Sequence, residues 1–151
     1  MRSRTWTRPS GGEELLIARA LLDELIAHAR EEAPNECCGV IAVASGAKPR
    51  ATRVHRTVNT AASPLRFEVD GRELLALLEQ IERDGGELGA IYHSHTRTAP
   101  YPSQTDINFA ANWPGVEWII VGLAGDRAPE VRSFLIEEGV VREVELNDGG
   151  A

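Results

Sequence analysis

His93 and His95 stand one residue apart at the end of an apolar run (LGAIYHSH), and Asp106 follows eleven residues after His95, past a loop punctuated by Pro100 and Pro102. On an extended strand alternate side chains share a face, so the two imidazoles point the same way, roughly 6–7 Å apart along the backbone. Two imidazoles at that spacing can converge on one metal ion, while Ser94 faces the other side. A catalytic zinc site takes three protein ligands and keeps the fourth position for water. Asp106 is the nearest candidate for the third ligand, because a carboxylate in the first turn of a helix can fold back over the strand end. The same residues carry a second meaning. Ser103 and Asp106 form an S-x-x-D pattern before an apolar stretch, which marks a helix cap where the dipole favours negative charge. The two readings are compatible, since a cap can fix the carboxylate that binds metal.

The elements that must hold these residues are legible in outline. Leu15, Ala18, Leu22, Leu25, Ile26 and Ala29 recur at helical spacing, which predicts an amphipathic helix over 13–32, ended by Pro34. Cys38 to Ala44 reads as a buried strand, and 50–58 as its hairpin partner. A short strand is expected over Leu65 to Val69. A second helix follows Gly71, with Leu74, Leu75, Leu78 and Ile81 on one side, and stops at Gly85-Gly86. Leu88 to Tyr92 forms a strand running into the histidines, and Gln104 to Ala111 a short helix. Trp118 to Leu123, Val131 to Ile136 and Val140 to Leu146 read as closing strands, the last two joined at Glu138-Gly139. The order predicts an α+β domain with a single mixed β-sheet flanked by helices. Residues 1–12 read as a flexible leader, 13–146 as the domain and 147–151 as a flexible tail.

The chain has 151 residues, enough for one domain with its own core. Its formal net charge of −7 at pH 7 argues against a nucleic-acid partner, which calls for a basic face. No run of 18 apolar residues occurs, so no membrane partner is expected, and no secretory h-region is present. Cys37 and Cys38 are adjacent and cannot staple distant segments. A reducing, cytoplasmic location follows as the expectation. His28 is expected to be packed in or at the edge of the first helix's stripe, and His55 to be a solvated strand position. Trp113 and Trp118 are expected to serve packing, and Arg97, Thr98 and Tyr101 either shape the ligand loop or touch substrate.

Taken with NECCGV at 35–40, the stretch resembles the JAMM/MPN+ (Mov34) zinc metalloprotease family, whose pattern is a distant Glu, then H-S/T-H, seven residues, and S-x-x-D. Glu36, His93, His95, Ser103 and Asp106 match all five positions, with Thr96 to Pro102 as the seven. The details YHSHT, YPSxTD and P-x-E-x-C-G-V resemble a bacterial subgroup that includes CysO-cysteine peptidases. The resemblance implies a JAMM/MPN, cytidine deaminase-like fold. It implies that His93, His95 and Asp106 bind Zn²⁺ with a water in the fourth position, that Glu36 is the general base, and that Ser103 donates to the developing oxyanion. Cys38 matches the E-x-C-G position, where a buried structural thiol is expected; Cys37 has no assigned role.

The substrate implied by this subgroup is the C-terminal Gly-Gly tail of a small ubiquitin-like sulfur-carrier protein. Hydrolysis after that tail would release cysteine or a short extension, in cysteine biosynthesis or another route of sulfur transfer. Two other accounts stand beside it. One is an isopeptidase, deubiquitinase-like, acting on lysine-linked conjugates. The other is a non-catalytic MPN scaffold module, and homodimer assembly is left open.

Overall fold

The computed structural model describes residues 15–44, 49–125 and 128–148. The expected leader over 1–12, the end of the tail at 149–151 and the Ser45-Gly46 strand boundary lie outside the described residues. The elements are α1 (Arg19–Glu32), β1 (Cys38–Ala44), β2 (Ala51–Thr57), α2 (Gly71–Arg83), β3 (Gly86–His95), α3 (Gln104–Ala110), β4 (Glu117–Gly122), β5 (Glu130–Glu137) and β6 (Val140–Val144). The six strands form one mixed sheet in the order β2-β1-β3-β4-β5-β6, with β3 and β4 parallel and the other pairs antiparallel. The α+β architecture read from the sequence is the architecture found.

Burial divides the core between the two faces of this sheet. On one face Leu22, Leu25 and Ala29 of α1 pack with Ile41, Tyr92 and Ile119. On the other, Ile81 of α2 and Ala110 of α3 pack with Ile91, Trp118, Ile120 and Phe134. Because strand side chains alternate, Tyr92 and Ile91 fall on opposite faces. That parity directs His93 and His95 to the face that α2 and α3 cover. Among the described residues no helix is long and apolar enough to cross a membrane.

Four local expectations are corrected. The first helix begins at Arg19 rather than Glu13, because Leu15 and Ile17 are both buried and Leu16 is extended, bridging Arg50 and Asn147. The Leu15 N–H also donates to the buried Glu117 carboxylate at 3.0 Å. Leu65 to Val69 does not join the sheet. In α2, Leu74, Leu78 and Ile81 pack as expected, but Leu75 is exposed and Leu77 packs in its place. His55 is buried, not solvated, and burial, helped by Arg53, pushes its pKa down. His28 is packed as expected, with Nδ1 2.7 Å from the Tyr92 hydroxyl. Trp118 is fully buried and Trp113 packs at the edge of the same cluster.

Gly39 explains why the E-x-C-G segment carries a glycine. A Cβ there would meet the Tyr92 ring at 2.4 Å and the His55 carbonyl oxygen at 2.5 Å. The backbone oxygen is fixed by the β1–β2 ladder and cannot swing aside as a side chain could. Gly39→Ala should therefore destabilise the fold by about 1–3 kcal/mol. Urea unfolding measures this, and an unchanged midpoint would show that Tyr92 and β2 can yield.

Candidate metal and catalytic site

The site forms where β3 ends and α3 begins. His93 Nε2 lies 3.1 Å from His95 Nε2 and 3.1 Å from Asp106 Oδ2, and His95 Nε2 lies 3.4 Å from the same oxygen. An ion bound tetrahedrally at 2.0–2.1 Å holds its donors about 3.3 Å apart, so this triangle has the size of three corners of a zinc polyhedron. The donor set, two imidazoles and a carboxylate, also suits that ion. All three residues are buried.

Each donor is aimed by a different device. His95 Nδ1 donates to the Ala99 carbonyl at 2.9 Å, which leaves Nε2 of the neutral ring with its lone pair toward the triangle. The loop making that contact is packed down at Pro100, against Gly122 of β4. Gly122 pairs with His95 in register, and a Cβ there would lie 2.8 Å from the proline ring. His93 is held by a stacked Phe67, with centroids 4.6 Å apart and 29° between planes, while its Nδ1 has no hydrogen-bond partner among the described residues. Asp106 is set by a capping box: its N–H donates to Ser103 Oγ at 3.2 Å, and its Oδ2 accepts from the Ser103 N–H at 2.9 Å. The cap and the ligand geometry are thus one structure.

The electrostatics follow from burial and proximity. Burial pushes the Asp106 carboxyl up, but His93, His95 and the Ser103 N–H outweigh it and hold the group well below the usual carboxylate range. Burial lowers His93 despite the nearby carboxylate. For His95 burial also opposes charge, yet Asp106 and the Ala99 carbonyl raise it overall. The arrangement keeps an ionised carboxylate beside two ring nitrogens, as a cation site requires.

Glu36, in the loop between α1 and β1, comes to the same place. A carboxylate oxygen of Glu36 and ring nitrogens of His93 and His95 all lie within 4.8 Å of one another. Among the described residues no hydrogen bond or ion pair joins Glu36 to either ring, whereas Asp106 contacts both, so a water can stand between Glu36 and the rings. Glu36 is 4% exposed, and no hydrogen bond reaches its carboxylate among the described residues. Burial, opposed by His95 and aided by Asp106, pushes its pKa up to about 7. The β1–β3 register, in which Cys38 faces His93, delivers it there. Ser94 secures that register from the other face, its Oγ accepting the Cys37 N–H at 2.8 Å. Ser103 is exposed, and while its oxygen accepts the cap bond its hydroxyl proton can still donate outward.

The remaining candidates divide. Cys37 and Cys38 are buried thiols pushed up to about 12 and about 11 by burial, so neither is reactive. Tyr101 packs edge-on against Phe134, with centroids 5.4 Å apart, and Arg97 and Thr98 are exposed in the ligand loop. Phe67, Ser94 and Thr96, which donates to the Pro34 carbonyl at 2.8 Å, escape sequence reasoning because their partners are 26 to 62 residues away. A groove of about 510 Å³ runs between 66–69 and α3, with Phe67, Asp106 and Phe109 in its wall. A larger hollow of about 840 Å³ between the end of α3 and the β5–β6 hairpin includes none of the site residues.

Comparison with known proteins agrees with this geometry. Residues 18–137 match the family Prok-JAB, described as prokaryotic homologs of the JAB domain. The chain is 35% identical over 134 residues to the CysO-cysteine peptidase of Mycobacterium tuberculosis, spanning 88% of this chain and 90% of that protein. It is 40% identical over 111 residues to the desampylase of Haloferax volcanii, spanning 70% and 78%. Among solved structures, a Desulfitobacterium hafniense protein superposes with a TM-score of 0.78 at 31% identity, over 88% of this chain and 91% of that one. A JAB1/MPN domain protein from Archaeoglobus fulgidus shares the fold, with a TM-score of 0.57 at 21% identity over 87% and 96%.

The triangle of donors makes a direct prediction. Zinc added to metal-stripped protein should bind at about one ion per chain and, at a hundredfold excess over Kd, stabilise the fold by about 2.7 kcal/mol. Asp106→Asn keeps an acceptor for the Ser103 N–H but removes the charge, and should bind zinc far more weakly. A Tm indifferent to zinc in the wild-type protein would contradict the assignment.

Proposed function

The chain belongs to the Prok-JAB family of prokaryotic JAB-domain homologs, a JAMM-type metalloprotease, and from that premise we propose that it hydrolyses the bond after the C-terminal Gly-Gly of a small ubiquitin-like sulfur-carrier protein, with zinc as its metal. The observation that carries the reading is the convergence of His93, His95 and Asp106 within 3.4 Å of one another with Glu36 beside them. A scaffold module has no need for such a set.

Zinc, when bound, supplies a Lewis acid that polarises a carbonyl and lowers the pKa of a bound water from 15.7 to about 7. His93, His95 and Asp106 would hold it. Glu36 accepts the proton of the attacking water and delivers it to the leaving amine. Burial pushes its carboxyl up to about 7, and positive charge held at the three donors would draw it lower and favour the ionised form at neutral pH. Ser103, with its hydroxyl proton free of the cap, donates to the oxygen that gains charge as the carbonyl carbon becomes tetrahedral.

The groove beside the site supports an extended tail as substrate. In 66–68 the Arg66 carbonyl and both backbone groups of Glu68 turn inward to Asn59 and Thr60. Phe67, between them, has no backbone hydrogen bond among the described residues, which leaves its N–H and C=O available to a bound chain. A chain laid against Phe67 can pair with both groups, and glycines let its backbone come close to the metal. The relative that spans 88% of this chain is named for a CysO-cysteine substrate, and a linear C-terminal adduct of that kind is the substrate proposed.

Two outcomes are expected. Glu36→Gln should keep zinc and lose turnover by about 10²–10⁴-fold, whereas His95→Ala should lose both. Full turnover in the Glu36 variant would remove the general base. With purified enzyme, a linear carrier–cysteine adduct should be cut in preference to the same carrier joined to a lysine side chain. The opposite preference would make the protein an isopeptidase.

A further inference from the structure

Asn59 stands just beyond β2 and is half-buried. Its Nδ2 donates to the Glu36 carbonyl at 2.9 Å and to the Arg66 carbonyl at 3.0 Å. Its Oδ1 accepts the Ala61 and Glu68 N–H groups, each at 3.0 Å. Two donors and two lone pairs are the whole capacity of a carboxamide, and carbonyls on one side with N–H groups on the other fix which end is which. One side chain thereby ties together two segments that reach the site separately. One is the loop carrying Glu36; the other carries Phe67, whose ring lies on His93.

The Glu36 peptide is gripped at both ends from this second segment. Its N–H donates to the Ser63 carbonyl at 2.9 Å and its C=O accepts from Asn59. Since no hydrogen bond holds the Glu36 carboxylate, its aim is set through its backbone. We infer that Asn59 is a positioning residue for the reaction, fixing the reach of Glu36 toward the three metal-binding atoms and locking it to the same frame as Phe67 and the groove. The inference rests on Glu36 as the general base. An amide is required because only it donates and accepts twice in one plane. An aspartate keeps the two N–H contacts but turns a carboxylate oxygen toward two carbonyl oxygens.

A double-mutant cycle on the full-length zinc-loaded enzyme tests this. Asn59→Asp should lower kcat by about 10²-fold, the cost of misplacing a catalytic group by about 1 Å. The zinc content should not change, and any rise in KM should be small beside the fall in kcat. In a Glu36→Gln background the same substitution should add no further loss, because the two residues act as one unit. Asn59→Ala, which admits water to the four backbone groups, carries the same expectations if the aspartate variant does not fold. Losses that multiply with Glu36→Gln, a fall in zinc content, or a rise in KM with kcat intact would each overturn the positioning role. Full turnover in Glu36→Gln alone would remove the base assignment itself, a failure visible without any Asn59 variant.

Discussion

A carboxylate that is 4% exposed, with two imidazole nitrogens within 3.4 Å of its oxygen, is the constraint around which this fold is organised. Burying an ionised group is costly unless charge and hydrogen bonds compensate it. Asp106 has both: the Ser103 N–H on one side and the two rings on the other. Meeting that requirement demands that the end of a central strand and the first turn of a helix coincide. The β3–α3–β4 connection satisfies it, with β3 and β4 parallel and His95 opposite Gly122. Pro100 against Gly122 then fixes the path of the loop between them.

The second carboxylate reaches the site by an independent route. Glu36 precedes β1, and antiparallel pairing of Cys38 with His93 decides how far it extends over the strand end. Ser94 couples the two faces of β3. Its neighbours carry the two imidazoles that meet Asp106, while its own hydroxyl accepts the N–H of the residue after Glu36. Gly39, the Tyr92 ring and the buried His28–Tyr92 hydrogen bond then tie α1 to the reverse side of the same strand. The positions of the two carboxylates thus depend on the same strand, β3, from opposite directions. A slip of one residue in the β1–β3 ladder would separate them.

What could be read from the sequence was what is local. The alternation of His93, Ser94 and His95, the Ser103–Asp106 cap and the run Cys38 to Ala44 each depend on neighbours a few residues away, and each was found as expected. The leading helix failed where two periods overlap. Leu15 suits a helix stripe with Ala18 and Leu22 and equally an extended pair with Ile17, and the slot beside Arg50 and Asn147 decides for the latter. His55 sits among arginines in sequence, but its strand lies against β1 and it is buried. Phe67 and Asn59 carry no local pattern that marks them. Their roles arise only when 58–70 folds over the strand end, bringing together groups 23 to 26 residues apart. The residues that converge at the strand end were therefore legible, and those that aim them were not.

The proposed chemistry requires a metal ion at the end of β3. Anomalous diffraction from crystals of the zinc-loaded protein, collected on both sides of the zinc edge, locates it directly. The expected result is one peak about 2.0–2.2 Å from His93 Nε2, His95 Nε2 and Asp106 Oδ2, with Glu36 outside the coordination sphere. A peak bonded to Glu36 in place of Asp106, or one lying away from the end of β3, would contradict the central claim.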